Sequence, residues 1–266
     1  MKKSIYFLLF SLLTANLFCQ SGDTKKDLQI TYIANEGFLI SSGNKKILID
    51  ALFKSDYYTS PSDSTINKII GNSAPLNNID YLIFTHAHQD HFNEKLCAEF
   101  LKKNQKTKFL STPEACGKLN QAETGYPDIV CCDIGYGEMK EINEEGLSIT
   151  AFRLMHGTSP DIQNLAYIIK INGYTVLHVG DGFVLQNEQY LKKIEWENYN
   201  IDVLFIGYMD ANNFVLETLS NTIKPKNLVL MHIHEDDIQE AKSRNEKYGA
   251  GAFIFEKELE TKTFTK

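Results

Sequence analysis

The segment Thr85-His86-Ala87-His88-Gln89-Asp90-His91 determines how the whole chain is interpreted. It follows the apolar run Ile79–Phe84, which predicts a buried strand, and precedes an amphipathic helix predicted at Glu94–Lys103. Its side chains are therefore expected on a loop at the edge of a sheet. Only seven of the 266 residues are histidines, so the pattern His-x-His-x-Asp-His has a low risk of arising by chance. The competing interpretation is a solvated polar loop that opens the helix.

The residue types in this segment are those that bind divalent metal ions. Imidazole nitrogens and a carboxylate within six residues suit a borderline cation such as zinc. His86 and His88 lie two residues apart in an extended stretch, so both can face one ion. Asp90 and His91 follow the bend and can face a second ion. The segment therefore predicts a metal site.

Further segments accompany the histidine segment along the chain: Tyr32–Ile40 followed by Lys46–Asp50, Met155-His156-Gly157, Val179-Gly180-Asp181-Gly182 and Met231-His232. Together they resemble the signature of the metallo-β-lactamase superfamily over most of the chain. The resemblance implies an α/β fold, an αββα four-layer sandwich of two mixed β-sheets with outer helices. The chain is most similar to the branch of lactonase-like and phosphodiesterase-like hydrolases that end in Met-His. It is less similar to true zinc β-lactamases, whose commonest type places a cysteine thiolate near the position of Asp181.

The resemblance also implies a set of metal ligands. It assigns His86, His88 and His156 to the first ion, and Asp90, His91 and His232 to the second ion. It makes Asp181 the carboxylate that bridges both ions. Two divalent ions per chain are therefore expected, zinc first, with manganese or iron(II) as alternatives. The plainer interpretations are that His156 only ends a strand and that Asp181 is only a turn residue.

Three more polar residues have two interpretations each. His234 either lines the substrate cleft or lies in a solvated loop. His178 is expected to orient a ligand or to lie in the core. Asp50 either orients a ligand or only ends a strand. The long segment 51–78, which contains Phe53, Tyr57 and Tyr58, either covers the site or forms a plain surface loop.

The reaction implied by the resemblance is hydrolysis by a metal-bridging hydroxide, with an ester, lactone, amide or phosphodiester as the bond cleaved. Asp90 is the expected catalytic residue, as a proton acceptor that also binds metal. Two other functions stay open, a non-catalytic metal-binding periplasmic protein and a di-iron redox enzyme. The redox enzyme is less favoured, since no flavodoxin-like partner domain is expected in the chain. A small-molecule substrate is expected, and the oligomeric state is open.

The start of the chain predicts a signal peptide. Lys2 and Lys3 precede a short apolar run, and this run is too interrupted for a membrane span. Cleavage after Cys19 leaves a hydrolase domain at residues 20–266 that is periplasmic or extracellular and has no stable membrane anchor. A lipoprotein is less favoured because Phe18 stands where lipidation sites have a small residue. The alternative is an N-terminal helix buried in the core.

Composition excludes several classes of protein. The chain is 43% hydrophobic and 23% charged, which excludes disordered and membrane-embedded classes. Its net charge of −7 argues against general nucleic-acid binding, which needs a basic surface.

After cleavage four cysteines remain, too few for a disulfide scaffold. We expect them to be small buried side chains without a metal or redox role: Cys97, Cys116, Cys131 and Cys132.

Periodicity and turn residues predict one domain in which strands come first and strand–helix units follow. The predicted strands are Leu28–Ala34, Phe38–Ile40, Lys46–Ile49, Ile79–Phe84, Lys108–Leu110, Ile129–Cys131, Glu138–Ile142, Leu147–Met155, Ala166–Ile171, Tyr174–Val179, Val203–Ile206 and Asn227–Met231. The predicted helices are Glu94–Lys103, one that begins at Thr112-Pro113-Glu114, Glu188–Trp196, Asn213–Asn221 and Asp237–Lys247, with one helical turn around Ile66–Ile70.

Overall fold

The computed structural model describes residues 26–266 apart from positions 124, 127 and 158, so the predicted signal peptide lies outside the described residues. Two seven-stranded sheets form the centre of the fold. The first sheet contains β1 Leu28–Ala34, β2 Gly37–Ser42, β3 Lys45–Ile49, β4 Tyr81–Ile83, β5 Lys108–Ser111, β6 Ile129–Cys131 and β14 Thr261–Phe264. The second sheet contains β7 Met139–Glu144, β8 Leu147–His156, β9 Ser159–Ile171, β10 Tyr174–His178, β11 Val203–Gly207, β12 Leu228–Met231 and β13 Phe253–Ile254.

Both sheets are mixed. The first has the order β14-β1-β2-β3-β4-β5-β6, antiparallel from β14 to β3 and parallel from β3 to β6. The second has the order β13-β12-β11-β10-β9-β8-β7, parallel from β13 to β10 and antiparallel from β10 to β7. The carboxyl ends of parallel strands are the usual place for a ligand site in such sheets.

Alternation of side chains along the first sheet separates two apolar layers. In β3, Ile47 and Ile49 pack in the cluster that includes the second sheet, whereas Leu48 packs in a cluster with helical residues. In β4, Ile83 and Leu82 divide in the same way. Each of these side chains is fully buried, which stabilises the fold by about 1.5–3 kcal/mol per side chain. The core between the sheets therefore fixes their relative position.

Helices cover the outer faces of the two sheets. They are α1 Asp63–Ile70, α2 Glu94–Lys103, α3 Pro113–Ala122, α4 Glu188–Leu191, α5 Asn213–Thr222 and α6 Ile238–Lys247. Residues of α1, α2 and α3 pack on the first sheet, and residues of α5 and α6 join the cluster that includes the second sheet. Side-chain N-caps define where four helices begin: Ser62, Asn93, Thr112 and Asn212. The predicted αββα sandwich of two mixed sheets is confirmed.

Four local predictions differ from the structure. The helix predicted at Glu188–Trp196 ends at Leu191, because the next backbone bonds tighten to three-residue spacing and the Trp196 indole donates to the Leu191 carbonyl at 2.7 Å. The single turn predicted around Ile66–Ile70 is the two-turn helix α1. The strand predicted at Ala166–Ile171 begins at Ser159. Strands β13 and β14 were not predicted, since both are short and partly exposed.

The cysteines differ from the prediction at one position. Cys116 in α3 and Cys131 in β6 form a disulfide, with Cα atoms 6.1 Å apart, a separation that a disulfide spans. The expectation of buried side chains is confirmed for Cys97, Cys116 and Cys132 and is wrong for Cys131, which is exposed. The sequence left the pairing open. Within the described part of the chain, no helix has the length and apolar character needed to cross a membrane.

Candidate metal centre

The predicted ligands come together at one edge of the two sheets. The segment 85–91 follows β4, and Asp50 follows β3. From the second sheet, His156 ends β8, Asp181 follows β10 and His232 follows β12. Four of these loops follow strands with a parallel neighbour, so their residues meet at the carboxyl edge.

A buried network around Asp50 fixes the histidine loop. The Asp50 carboxylate accepts hydrogen bonds from the Thr85 backbone N–H at 2.8 Å and from the Thr85 hydroxyl at 2.7 Å. It also accepts from Nδ1 of His91 at 3.0 Å. Because the Thr85 hydroxyl proton goes to Asp50, its oxygen accepts from Nδ1 of His86 at 3.0 Å. Both imidazoles are therefore held through Nδ1 and turn Nε2 towards the site.

The first ligand group contains His86, His88, His156 and Asp181, whose ligand atoms all lie within 4.8 Å of one another. Nε2 of His156 lies 3.0 Å from Oδ2 of Asp181, and Nε2 of His86 lies 3.6 Å from the same oxygen. The three imidazole rings have centroids 4.5–4.9 Å apart. This is the set that the sequence assigned to the first ion.

The second ligand group contains Asp90, His91 and His232. Oδ2 of Asp90 lies 3.6 Å from Nε2 of His91 and 3.4 Å from Nε2 of His232. Oδ1 of Asp181 lies 3.4 Å from the same two nitrogens. The two oxygens of Asp181 therefore face different groups, as a bridging carboxylate requires.

Close packing holds Asp181 in this position. Its backbone N–H donates to Oδ1 of Asn164 at 3.1 Å. Gly180 has a φ of 55°, and a Cβ there would lie 2.5 Å from Oδ1 of Asn164 and 2.7 Å from Cβ of Thr85. A Cβ on Gly182 would lie 2.8 Å from the Leu154 side chain. Gly180 is thus required for the second sheet to approach the histidine loop this closely, and Gly182 is required for the Asp181 loop to pack against β8.

Each ligand group takes two residues from each sheet. His86 and His88 come from the first sheet and meet His156 and Asp181 from the second. Asp90 and His91 likewise come from the first sheet and meet His232, with Asp181 again, from the second. The centre therefore lies across the boundary between the two sheets.

The donor atoms fit a divalent ion. The Nε2 atom is buried and makes no hydrogen bond in four histidines, which are His86, His91, His156 and His232. An unpaired buried nitrogen is costly unless it binds something. The distances between ligand atoms, 3.0–3.6 Å, are close to the edge of about 3.4 Å that a tetrahedral zinc shell with nitrogen and oxygen ligands has.

The charges in the site also favour a bound cation. Burial alone would raise the pKa of the Asp181 carboxyl, but the nearby imidazoles of His91 and His232 have the larger, opposite effect. The pKa of Asp181 therefore lies well below its ordinary value. Burial lowers the pKa of His86 well below the imidazole value. Burial opposes charge on His91 too, yet Asp181 and Asp50 raise its pKa well above the ordinary value. A proton on His91 thus balances the carboxylates, and a metal cation at Nε2 would replace it.

His178 and His234 belong to neither ligand group. His178 is fully buried, and its Nε2 donates to the Glu36 carbonyl at 3.1 Å while Nδ1 accepts from the Gly180 N–H at 3.2 Å. Burial lowers the pKa of His178 to about 4, so it is a neutral core residue that supports two site loops. Nδ1 of His234 accepts from the Asp236 N–H at 3.2 Å, and its ring lies 4.8 Å from Tyr57.

Glu36 is a site residue that the sequence did not indicate. It lies in the turn between β1 and β2, is 1% exposed, and its two carboxylate oxygens have no hydrogen-bond partner. One of these oxygens is within 4.8 Å of the ligand atoms of Asp181 and His232. Burial raises its pKa well above the ordinary value, and Asp181 adds to this. The sequence Asn-Glu-Gly resembles an ordinary hairpin turn, so no local signal marked this residue.

A cleft opens beside the two ligand groups. Its volume is about 70 Å³, and it is lined by Glu36, Asp181, Phe183, Tyr208, Met209 and His232, among others. On the first sheet's side, the ring of Tyr58 lies 4.4 Å from the ring of His232. Segment 51–78 was expected either to cover the site or to form a plain surface loop. Its part at Tyr57 and Tyr58 lies against the site, whereas its helix α1 belongs to the outer helical layer.

A family model described as "Beta-lactamase superfamily domain" matches residues 29–232, which include every predicted ligand. The chain belongs to the beta-lactamase superfamily. A superfamily relative, the UPF0173 metal-dependent hydrolase of Thermococcus kodakarensis, is 22% identical over 212 residues, covering 77% of this chain and 84% of that protein. The chain is thus a metal-dependent hydrolase of the superfamily, and the sequence-based identification is confirmed.

Solved structures show the same superfamily fold. The metallo hydrolase Igni18 of Ignicoccus hospitalis has a TM-score of 0.63 at 19% identity, covering 90% of this chain and 98% of that chain. CmlA of Streptomyces venezuelae, a diiron beta-hydroxylase, has a TM-score of 0.60 at 14% identity, covering 91% of this chain and 54% of that chain. At these identities the likeness concerns the fold alone.

Proposed function

We propose that this hydrolase is exported and uses two divalent metal ions to cleave an ester, lactone, amide or phosphodiester bond. The observation that supports two ions is the orientation of Asp181, whose Oδ2 faces His156 and whose Oδ1 faces His232. Zinc is the metal proposed first, with manganese or iron(II) as alternatives, because imidazole and carboxylate ligands suit all three.

The chain's own residues have distinct roles in this proposal. His86, His88, His156 and Asp181 hold one ion, and Asp90, His91, His232 and Asp181 hold the other. Bound ions of this kind polarise a scissile oxygen and lower the pKa of water. Asp90 is also the proposed proton acceptor, and since its Oδ2 faces His91 and His232, its Oδ1 takes this role. Asp50 keeps His91 in the orientation and tautomer that ligation needs.

The cleft favours a neutral, partly apolar substrate. Its lining residues include Phe183 and Met209, which remain substantially exposed, and include no lysine or arginine. The negative charge of a phosphodiester would find no lysine or arginine among those lining residues and would depend on the metal ions alone. An ester, lactone or amide with an apolar substituent beside the reacting bond is therefore favoured over a phosphodiester.

Two rival functions, a di-iron redox enzyme and a non-catalytic metal-binding protein, are tested on the same metal-loaded preparations. The fold is shared with a diiron beta-hydroxylase, so the redox alternative is tested with iron-loaded protein. The proposed experiment is a panel of chromogenic esters, lactones, amides and phosphodiesters, assayed with zinc-, manganese- and iron-loaded protein after the metal content has been measured. We expect two ions per chain and turnover of the neutral acyl substrates. Two ions without any turnover on this panel would favour the non-catalytic metal-binding protein.

Export is proposed from the basic and apolar start of the chain, and the disulfide Cys116–Cys131 supports it. Disulfides persist in oxidising compartments such as the periplasm and are rare in the cytosol. N-terminal sequencing of protein from the native host's cell envelope is the test. A mature chain that begins near residue 20 is expected, and recovery of Met1 would contradict it.

A further inference from the structure

We propose that Glu36 is an additional ligand of the second metal ion, which would then be held by three carboxylates and two imidazoles. This inference rests on the proposed two-ion function and goes beyond it, since the resemblance to the superfamily assigns no role to this position. The cofactor class is a divalent ion that prefers oxygen ligands, manganese or iron(II) rather than zinc.

The first argument is the orphaned carboxylate. Glu36 is 1% exposed, and neither Oε1 nor Oε2 has a hydrogen-bond partner among the described residues. Oε2 lies 3.8 Å from Nδ1 of His91, an ion-pair contact too long for a hydrogen bond. A buried carboxylate without hydrogen bonds is among the most costly arrangements in a protein. Binding a cation removes that cost, and an ion held by Asp181 and His232 is close enough, because Glu36 lies within 4.8 Å of ligand atoms on both residues.

The second argument is the construction of the turn that holds Glu36. Asn35, with a φ of 48°, donates from Nδ2 to the carbonyl of Asp90 at 3.2 Å, which ties the turn to the histidine loop. A Cβ on Gly37 would lie 2.7 Å from the carbonyl of Asp50, so only glycine allows the turn to approach β3 this closely. His178 donates to the Glu36 carbonyl from the other sheet. The backbone is therefore anchored on both sides with its side chain directed inward.

The consequence is an asymmetric pair of metal sites. The first ion has three imidazoles and one carboxylate, a set that suits zinc. With Glu36, the second ion has five protein ligands, of which three are carboxylates. Hard oxygen ligands favour manganese and iron(II) over zinc, so the two sites should differ in metal preference.

The decisive variant is Glu36→Gln, because glutamine keeps the size and shape of the side chain but is a poor metal ligand. By calorimetry, we expect the dissociation constant of the second Mn²⁺ ion to rise at least tenfold and that of the first Mn²⁺ ion to change less than twofold. The preference of the second site for Mn²⁺ over Zn²⁺ should also fall. Glu36→Asp should recover part of the affinity. The control is Glu99→Gln on the exposed face of α2, where Glu99 pairs with Lys103 at 2.9 Å.

A direct measurement does not depend on how the variants fold. In a crystal structure of the Mn²⁺-loaded wild-type protein, we expect a Glu36 oxygen about 2.0–2.2 Å from the second ion, the usual length for a carboxylate ligand. A distance above about 3 Å, or equal affinity of wild type and Glu36→Gln for the second Mn²⁺ ion, would overturn this inference alone. Wild-type protein that binds fewer than two ions would overturn the two-ion proposal, and the role of Glu36 with it.

Discussion

Oδ2 of Asp50 lies 3.0 Å from Nδ1 of His91, on the opposite side of the imidazole from the nitrogen that faces Asp181. Asp50 is fully buried and contacts no other predicted ligand directly within hydrogen-bond distance. It therefore acts on the metal centre through His91 and through Thr85. Carboxylates that support a metal-bound imidazole in this way usually affect metal affinity strongly.

Asp50→Asn should weaken binding of the second ion by about 10–100-fold while the first ion stays bound. The amide can present its N–H₂ group to His91, which would favour the wrong tautomer. Stepwise metal titration by calorimetry is the measurement. The control is Asp63→Asn, an exposed residue that pairs with Lys54, and equal second-ion affinity in both variants would contradict the role of Asp50.

His232 and His234 form a matched pair of histidines two residues apart. His232→Ala should reduce the metal content towards one ion per chain, because its Nε2 faces both Asp90 and Asp181. His234→Ala should keep two ions, since its Nδ1 caps the turn at Asp236 and its ring packs on Tyr57. Elemental analysis of both purified variants checks this. Loss of an ion in His234→Ala alone would reverse the assignment.

Asp181→Ala should lower the metal content towards one ion and depress hydrolysis of the best panel substrate by orders of magnitude. The reason is that one carboxylate serves both ligand groups, so its removal leaves both incomplete. Metal content and kcat/KM are measured on the same preparation. A variant with two ions and a near-normal rate would show that Asp181 does not bridge.

Penicillins and carbapenems should be poor substrates, with kcat/KM below about 10⁴ M⁻¹s⁻¹, the lower end for dedicated enzymes. The commonest zinc β-lactamases place a thiolate on the second ion, and here Asp181 stands near that position. The cysteines of the described chain are elsewhere: Cys116 and Cys131 are paired, and Cys97 and Cys132 belong to no candidate metal group. Steady-state hydrolysis of these drugs by the zinc-loaded protein is the measurement. A kcat/KM above that limit would show that the protein is a true β-lactamase.

Asp210→Asn should stabilise the protein at pH 8 and have little effect near pH 4. Burial raises the pKa of Asp210 from 3.8 to about 6, so the folded state holds this proton more tightly than the unfolded chain does. The stabilisation that comes from the protonated carboxyl is complete below pH 3.8 and is lost as the pH rises through about 6. At pH 8 the ionised group costs on the order of 2–3 kcal/mol.

Thermal unfolding at the two pH values measures this difference. Asparagine keeps an oxygen that can accept the Val184 N–H, which now donates to Asp210 at 2.9 Å. The variant should therefore unfold several degrees higher than wild type at pH 8. An equal gain at pH 4 would mean that a change in packing, not removal of the charge, causes the effect.

The sequence predicted the four layers and the seven residues that come together at the sheet edge. The histidine segment could be recognised because histidine is rare in this chain and the segment follows an apolar strand. The αββα fold and the roles of His156, Asp181 and His232 followed from the resemblance to the superfamily. Whether all seven bind metal stays a prediction. The strand order was not predicted; in the structure the parallel strands β3 and β4 bring Asp50 beside the histidine loop.

Other features depend on contacts between distant parts of the chain. Glu36 is buried only because His178, 142 residues away, and the Asp50 loop pack around its turn. Glutamate is common on surfaces, so its identity gives no signal. The end of α4 depends on the Trp196 indole, and the disulfide depends on α3 lying beside β6. Local periodicity contains none of this information.

Both ligand groups join two residues from the first sheet to two from the second, with Asp181 counted in each. Bound ions would therefore act as cross-links between layers that are otherwise held by the apolar core. Sliding of one sheet past the other would lengthen ligand distances in both groups at once. The packing of residues such as Phe38 and Phe205, whose rings lie 4.6 Å apart in that core, thus sets the spacing of the ligands from a distance. If the proposed ions bind, substitutions that change the volume of this core should also change metal affinity.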